Sequence, residues 1–267
     1  MERLALLAVT AHPGDELPVA GTLTYLAEAG VHVALACATY GESTLPLPER
    51  REEALQQRAA EQEHDLRCSC ARLGVAEVHL LGYHDSGAEG QVDIRGTLAN
   101  AGTLETVRKL IRLIRTIQPQ VVLTLEPNGI DRHMDRIAIS NLATQAFFEA
   151  GNHEQFPEDG GPEIYMPAEL YYYGLPQGLL RLAGLPETGS PEDEIKVRRD
   201  VTQFVPRKLE AARCYRNGVE GPLGRLLQIA PRERDHLLMV EFLTEAQPQP
   251  AYADSLDPHM HMFGGMP

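Results

Sequence analysis

Leu4–Val9 is an unbroken apolar run, with no polar residue to turn toward water on either side. A strand of that kind is buried on both faces, and such strands belong to parallel sheets covered by helices. Val31–Ala38 and Glu77–Leu81 read as a second and third strand, and Val121–Leu125 as a fourth, apolar one. Helix-like stretches separate them: Leu17–Ala29 stopped by Gly30, Arg50–Leu73 stopped by Gly74, and Thr103–Thr116, whose apolar residues recur at helical spacing before Pro119. A further helix is predicted over Ile137–Ala150. Strands alternating with helices imply an α/β chain, a Rossmann-like three-layer sandwich with a mostly parallel sheet.

Right-handed crossovers place the C-terminal ends of such strands along one edge. Each run here ends in polar residues. Val9 leads into Thr10-Ala11-His12-Pro13-Gly14-Asp15-Glu16, and Ala38 into Thr39-Tyr40-Gly41-Glu42. Leu81 leads into Gly82-Tyr83-His84-Asp85, and Leu125 into Glu126-Pro127-Asn128-Gly129 and then Ile130-Asp131-Arg132-His133-Met134-Asp135-Arg136. These four loops, distant in the chain, are predicted to converge.

The second part of the chain is less regular. Residues 151–205 read as a loop-rich segment that could cover the site edge, interrupted by a short aromatic strand at Leu170–Gly174. A helix at Pro206–Arg216 and a last strand at Leu237–Leu243 complete a single domain over 1–247, and a tail, 248–267, carries His259 and His261.

A net charge of −14 argues against nucleic acid or an anionic membrane as partner. No run approaches the roughly 20 apolar residues of a membrane span. No signal peptide is visible ahead of the first strand, so a cytoplasmic location is expected. With only Cys37, Cys68, Cys70 and Cys214 available, and a reducing compartment assumed, no disulfide is expected. Cys68 and Cys70 lie two apart on a helix and cannot jointly hold a metal.

His12, Asp15 and His133 are candidate metal ligands, because imidazole and carboxylate are usual zinc donors and His12 and Asp15 share one strand-to-helix turn. The plainer reading is that Asp15 and Glu16 cap the following helix and His12 bonds to backbone. The first strand is not followed by G-x-G-x-x-G, and neither a P-loop nor a G-x-S-x-G elbow occurs.

Ala11-His12-Pro13-Gly14-Asp15-Glu16, followed by Gly21-Thr22-Leu23, resembles the Ala-His-Pro-Asp-Asp-Glu opening of the GlcNAc-PI de-N-acetylase family, whose bacterial members are called LmbE-like. The likeness continues through Thr39–Glu42, Leu73-Gly74, Leu80–Asp85, Pro127–Gly129, His133–Arg136, Tyr171–Tyr173 and Lys208–Arg216. The resemblance implies a zinc-dependent hydrolase that removes acetyl from an N-acetylglucosamine conjugate, with a possible homo-oligomer. It assigns His12 and Asp15 as zinc ligands, with Asp15 and His133 the catalytic pair that remains. Asp85 and Arg51 are assigned to substrate.

The chain departs from the family pattern at two positions that matter chemically. Gly14 stands where the family has its general base, and Arg136 where it has the third zinc ligand. Glycine cannot take a proton, and losing a positioned base costs about 10²–10⁴-fold in rate. Arginine has no lone pair for a metal and should pair with Asp15 instead. Tyr215 also replaces a histidine of the late motif. The expectation is therefore a binding or accessory protein that holds little or no zinc; the alternative is an active N-deacetylase with an altered site. Glu16, Asp131, Asp135 and the tail histidines are the candidate substitutes for the lost groups.

Overall fold

The computed structural model describes residues 3–44, 52–87, 96–152, 163–182, 184, 188–219 and 221–246. Arg50, Arg51, His259 and His261 lie outside the described residues.

A seven-stranded sheet runs in the order β3-β2-β1-β4-β5-β7-β6. Its strands are β1 (Ala5–Thr10), β2 (His32–Thr39), β3 (Glu77–Tyr83), β4 (Val121–Leu125), β5 (Glu169–Gly174), β6 (Val197–Asp200) and β7 (Val240–Glu245). The first five pair in parallel, and β7 joins antiparallel to both β5 and β6. Every residue of β1, β2 and β4 is buried, as their largely apolar character requires.

The helices are α1 (Ala20–Glu28), α2 (Glu52–Leu73), α3 (Thr103–Ile117), a distorted single turn α4 (Gly129–Arg132), α5 (Met134–Glu149), α6 (Gln177–Leu182), α7 (Val205–Ala212), α8 (Gly221–Leu227) and α9 (Pro231–Leu237). α1, α2 and α7 pack together, and α3 packs on α5 across β1 and β4. The sheet thus lies between two helical layers.

One buried carboxylate joins the late strands to the first helix. Glu241 of β7 accepts from the Gly21 and Thr22 amides at the start of α1, each at 2.8 Å, and from Lys208 Nζ at 2.7 Å. Free amides at a helix N-terminus favour an anion there, and the lysine balances its charge. Lys208, a residue of the family-like late motif, is therefore structural.

Four elements were not legible beforehand. α6 and β6 lie within the segment read as loop-rich, and α8 and α9 lie beyond the last helix expected. The helix expected at Pro206–Arg216 ends at Ala212, because Cys214 and Tyr215 turn toward α2. Cys214 forms a disulfide with Cys68, which corrects the expectation that the cysteines stay reduced. The pair is 146 residues apart, a separation that no local pattern reports.

Order and direction position the site. β1 lies between β2 and β4, with Thr10 beside Cys37 and Val9 beside Thr124. The chain leaves β1 toward β2 on one side and later crosses back to β4 on the other. A crevice at the strand C-termini results where the winding reverses, and this is where doubly wound sheets bind ligands.

Candidate functional site

Two loops face each other across that crevice, residues 11–16 after β1 and 126–136 after β4. His12 is held by its ring. Its Nδ1 lies 2.7 Å from Thr39 Oγ1. Thr39 gives its only hydroxyl proton to Ala11 O and accepts from Gly41 N, so it can only accept from His12. His12 Nδ1 is thus a donor, and Nε2 turns a lone pair into the crevice.

His133 caps α5, its Nδ1 accepting from the Asp135 amide at 3.2 Å. That leaves a proton on Nε2, 4.0 Å from Asp85 Oδ1. His12 Nε2 and His133 Nδ1 approach to 3.3 Å. Two lone pairs facing at that distance repel unless a proton or a cation lies between them.

Asp85 and Asp135 complete a cluster in which one ligand atom from each of His12, Asp85, His133 and Asp135 lies within 4.8 Å of the others. Asp135 Oδ2 is 3.7 Å from His12 Nε2 and accepts from the Ser86 amide at 2.8 Å, while its Oδ1 accepts from the Ser86 hydroxyl at 2.5 Å. Asp85 Oδ2 is 3.9 Å from His12 Nδ1, and its Oδ1 accepts from the Gly87 amide at 2.8 Å. Burial works to raise the Asp85 carboxyl, but His12, the Gly87 amide and His133 outweigh it and hold it below its ordinary value. For Asp135 burial dominates and pushes the carboxyl up. Burial, then His12 and Arg136, bring His133 down to about 4, so its imidazole is neutral at neutral pH.

Asp15 faces elsewhere. Its Oδ2 accepts from the His12 amide at 2.9 Å and its Oδ1 from Arg136 Nε at 2.8 Å. The same guanidinium reaches Asp131 Oδ2 at 2.7 Å through NH1. Arg136 and Asp15 are 4% and 6% exposed, so this is a buried ion pair flanked by a second carboxylate. Burial disfavours the Arg136 charge, but Asp15 and Asp131 overcome it and raise the group above its already high value.

Gly14 adopts a φ of +100°, a conformation that side chains with a Cβ rarely enter. A Cβ added there would stand 3.3 Å from Val219 Cγ1. The other side of the cap is Gly221, where a Cβ would meet Arg136 NH2 at 2.8 Å. The segment leading into α8 therefore closes over both departures from the family pattern at once.

Glu16 is fully buried and turns away from the crevice. It accepts from Ser69 Oγ and Tyr215 OH, each at 2.6 Å, and from the Gly14 amide at 2.9 Å. It anchors the loop and does not enter the cluster. Burial raises its carboxyl, against those three hydrogen bonds.

The loop after β4 is strained where the first is tied down. Ile130 and Arg132 adopt φ of +65° and +66°. A buried β-branched residue rarely does so, and such strain persists only where the surroundings over-determine it. Here the Asn128 side chain holds the Ile130 amide at 2.8 Å, the Ile130 carbonyl accepts from Gly189 N at 2.7 Å, and Asp131 Oδ1 accepts from the His133 amide at 3.1 Å.

The structure thus brings His12, His133 and Asp85 together and directs Asp15 to Arg136. Thr39, Ser86 and Asp135, central here, carried only weak signals: they lie inside motif-like loops, and their roles depend on loops from different strands meeting. Glu126, at the end of β4, is a further buried carboxyl. Its Oε1 has no hydrogen-bond partner among the described residues, and burial pushes it up to about 8.

The family described as GlcNAc-PI de-N-acetylase matches residues 7–147. The chain is 32% identical over 240 residues to a 1D-myo-inositol 2-acetamido-2-deoxy-alpha-D-glucopyranoside deacetylase from Catenulispora acidiphila, covering 79% of this chain and 74% of that protein. It is 28% identical over 270 residues to the enzyme of that name from Salinispora arenicola, covering 90% and 84%. Among solved structures, N,N'-diacetylchitobiose deacetylase from Pyrococcus horikoshii superposes with a TM-score of 0.66 at 18% identity, covering 94% of this chain and 88% of that one. The 4-carboxy-2-hydroxymuconate hydratase from Pseudomonas putida superposes with a TM-score of 0.63 at 17% identity, covering 92% and 97%. These structural likenesses establish the fold alone, and one fold that carries both a deacetylase and a hydratase does not decide the reaction.

Proposed function

This chain belongs to the GlcNAc-PI de-N-acetylase family, and from that premise we infer a binding or accessory protein for an amino-sugar conjugate, one that does not use the family's zinc-dependent route of N-acetyl hydrolysis. The observation that carries this reading is Arg136. Its guanidinium spans Asp15 and Asp131 at the position the resemblance assigns to the third zinc ligand. Both Asp15 oxygens already accept hydrogen bonds, and arginine has no lone pair to give. A divalent ion does not fit those three residues. A general base is missing as well, since the position assigned to it is a glycine beneath Val219. A bound sugar would instead meet Asp85, an ionised hydrogen-bond acceptor, and His133 Nε2, a neutral donor.

The free lone pair of His12 Nε2 and its 3.3 Å approach to His133 favour a second reading, an active N-deacetylase whose metal has moved to His12, Asp85, His133 and Asp135, with His133 giving up the Asp135 amide to ligate. That donor set is chemically suited to zinc, which when bound would polarise a carbonyl and acidify water. In that reading this chain's residues supply the donor set and Ser86 orients Asp135.

Metal content and acetate release from N-acetylglucosaminyl-inositol separate the two. The first reading expects no stoichiometric zinc and no acetate from wild type. One zinc per chain that is lost in His133→Ala but retained in Asp15→Asn, together with acetate release, would establish the second and refute the first.

A further inference from the structure

The Cys68–Cys214 disulfide lies in a surface cleft of about 420 Å³ on the far side of Glu16 from the crevice. The cleft is also lined by His64, Arg72, Glu210, Arg213 and Arg216. His64, Cys68 and Arg72 are four residues apart along α2 and so share one face. Arg72, Arg213 and Arg216 are exposed, and Cys68 is the half-buried sulfur of the pair while Cys214 is buried. Three guanidiniums and one carboxylate surround this disulfide, on a chain whose net charge is −14. Of the arginines, Arg216 leans on Asp65 at 3.6 Å with its side chain 70% exposed.

The residues that follow the two cysteines converge on one atom. Ser69, next to Cys68, and Tyr215, next to Cys214, both donate to Glu16 Oε1 at 2.6 Å. Glu16 Oε2 accepts from the Gly14 amide. The disulfide therefore clamps the two donors that hold the anchor of the 11–16 loop.

We propose that this disulfide is an exchange site for a small anionic thiol, recognised by Arg72, Arg213 and Arg216, and that opening it loosens the Glu16 anchor. The thiolate attacks the accessible Cys68 sulfur. The new S–S bond forms as the Cys68–Cys214 bond breaks, and Cys214 leaves as a thiolate, favoured by the adjacent guanidiniums, then takes a proton from water. A second thiolate attacks the mixed disulfide, releasing the small-molecule disulfide and Cys68 as a thiolate. Two small thiols are oxidised and one protein disulfide is reduced. The proposal is independent of whether the crevice binds metal.

The test uses the full chain purified without reductant, with 2-mercaptoethanesulfonate as the anionic probe and 2-mercaptoethanol as the neutral one. Per thiolate, the sulfonate is expected to reduce the wild-type disulfide about tenfold faster. That preference should vanish in Arg72→Gln/Arg213→Gln/Arg216→Gln and in 1 M salt, where the screening length falls to about 3 Å. In Cys214→Ser, where Cys68 is a free thiol, the symmetric disulfide of the sulfonate should leave a sulfonate adduct on Cys68 and release one sulfonate thiol. Reduction should also speed exchange of the Gly14 amide proton by about tenfold while amides of α5, in the opposite layer, are unchanged. Two free thiols at these positions in the purified chain, or a probe preference equal in wild type and the triple variant, would overturn the exchange site. An unchanged Gly14 amide after reduction would overturn the link to Glu16.

Discussion

The loops after β1 and β4 each bury a glutamate, and the two glutamates are held in opposite ways. Glu16 is met by three donors, from Ser69, Tyr215 and Gly14. Glu126 has an Oε1 with no partner among the described residues, the Asn128 side chain and Leu175 backbone as hydrogen-bonding neighbours, and Glu194 repelling it. Burial raises both carboxyls. Only Glu16 is provided with what an ionised carboxylate needs. The lesson concerns division of labour: the first loop is fixed by satisfied hydrogen bonds, whereas the second carries strain at Ile130 and an unsatisfied acid, and Arg136 binds the second loop to the first.

Removing that link should have the largest effect. Arg136→Ala leaves Asp15 buried and Asp131 half-buried without a cation, and a loss of about 3–5 kcal/mol in urea unfolding is expected. A loss below about 1 kcal/mol would mean that water reaches the pair and that the two loops are not joined as described.

The glutamates should respond to amidation with opposite signs. Glu126 has a folded value near 8 against an ordinary 4.5, so its contribution to stability is complete below about 4.5 and is lost as pH rises through about 8. Glu126→Gln should therefore gain on the order of 2–3 kcal/mol over wild type between pH 5 and 8, read from unfolding midpoints along the series. Glu16→Gln instead sets an amide NH2 against the Gly14 N–H, even when its oxygen still accepts from Ser69 and Tyr215, and should lose about 1–3 kcal/mol. Matching signs for the two would erase the contrast.

The smallest effect should be at Gly14. Gly14→Ala at φ +100° is expected to cost about 1–2 kcal/mol, measured by thermal unfolding. Because an aspartate there is strained in the same way and meets Val219, restoring the family residue at position 14 is not a simple reversal. A neutral result would show that the backbone flips to accept a side chain, and that the position can still present a base.

Much of the fold was legible because it rests on local, periodic signals. Val121–Leu125 spans the same residues as its predicted strand, and β1 and β2 are each displaced by one residue. Those runs are buried on both faces, so their composition alone declares the environment. β6 was hidden because Val197–Asp200 is a short, partly exposed edge strand with three charged residues. At the site, His12 and His133 could be singled out from the chemistry of their residue type, and Asp85 and Arg136 from the positions they hold in the family resemblance. Thr39 and Ser86 could not, because a hydroxyl acquires a role only from the atoms around it.

The sequence by itself determined that this chain is a parallel α/β protein with a polar edge, that position 14 has no side chain, and that position 136 cannot ligate a metal. These are properties of composition and covalent structure. Only the tertiary structure decided that Arg136 reaches both Asp15 and Asp131, that Val219 lies over Gly14, that Glu16 points away from the crevice, and that Cys68 bonds to Cys214. Each of those depends on side chains from distant segments meeting at a particular distance and angle, and local sequence does not encode distance between segments.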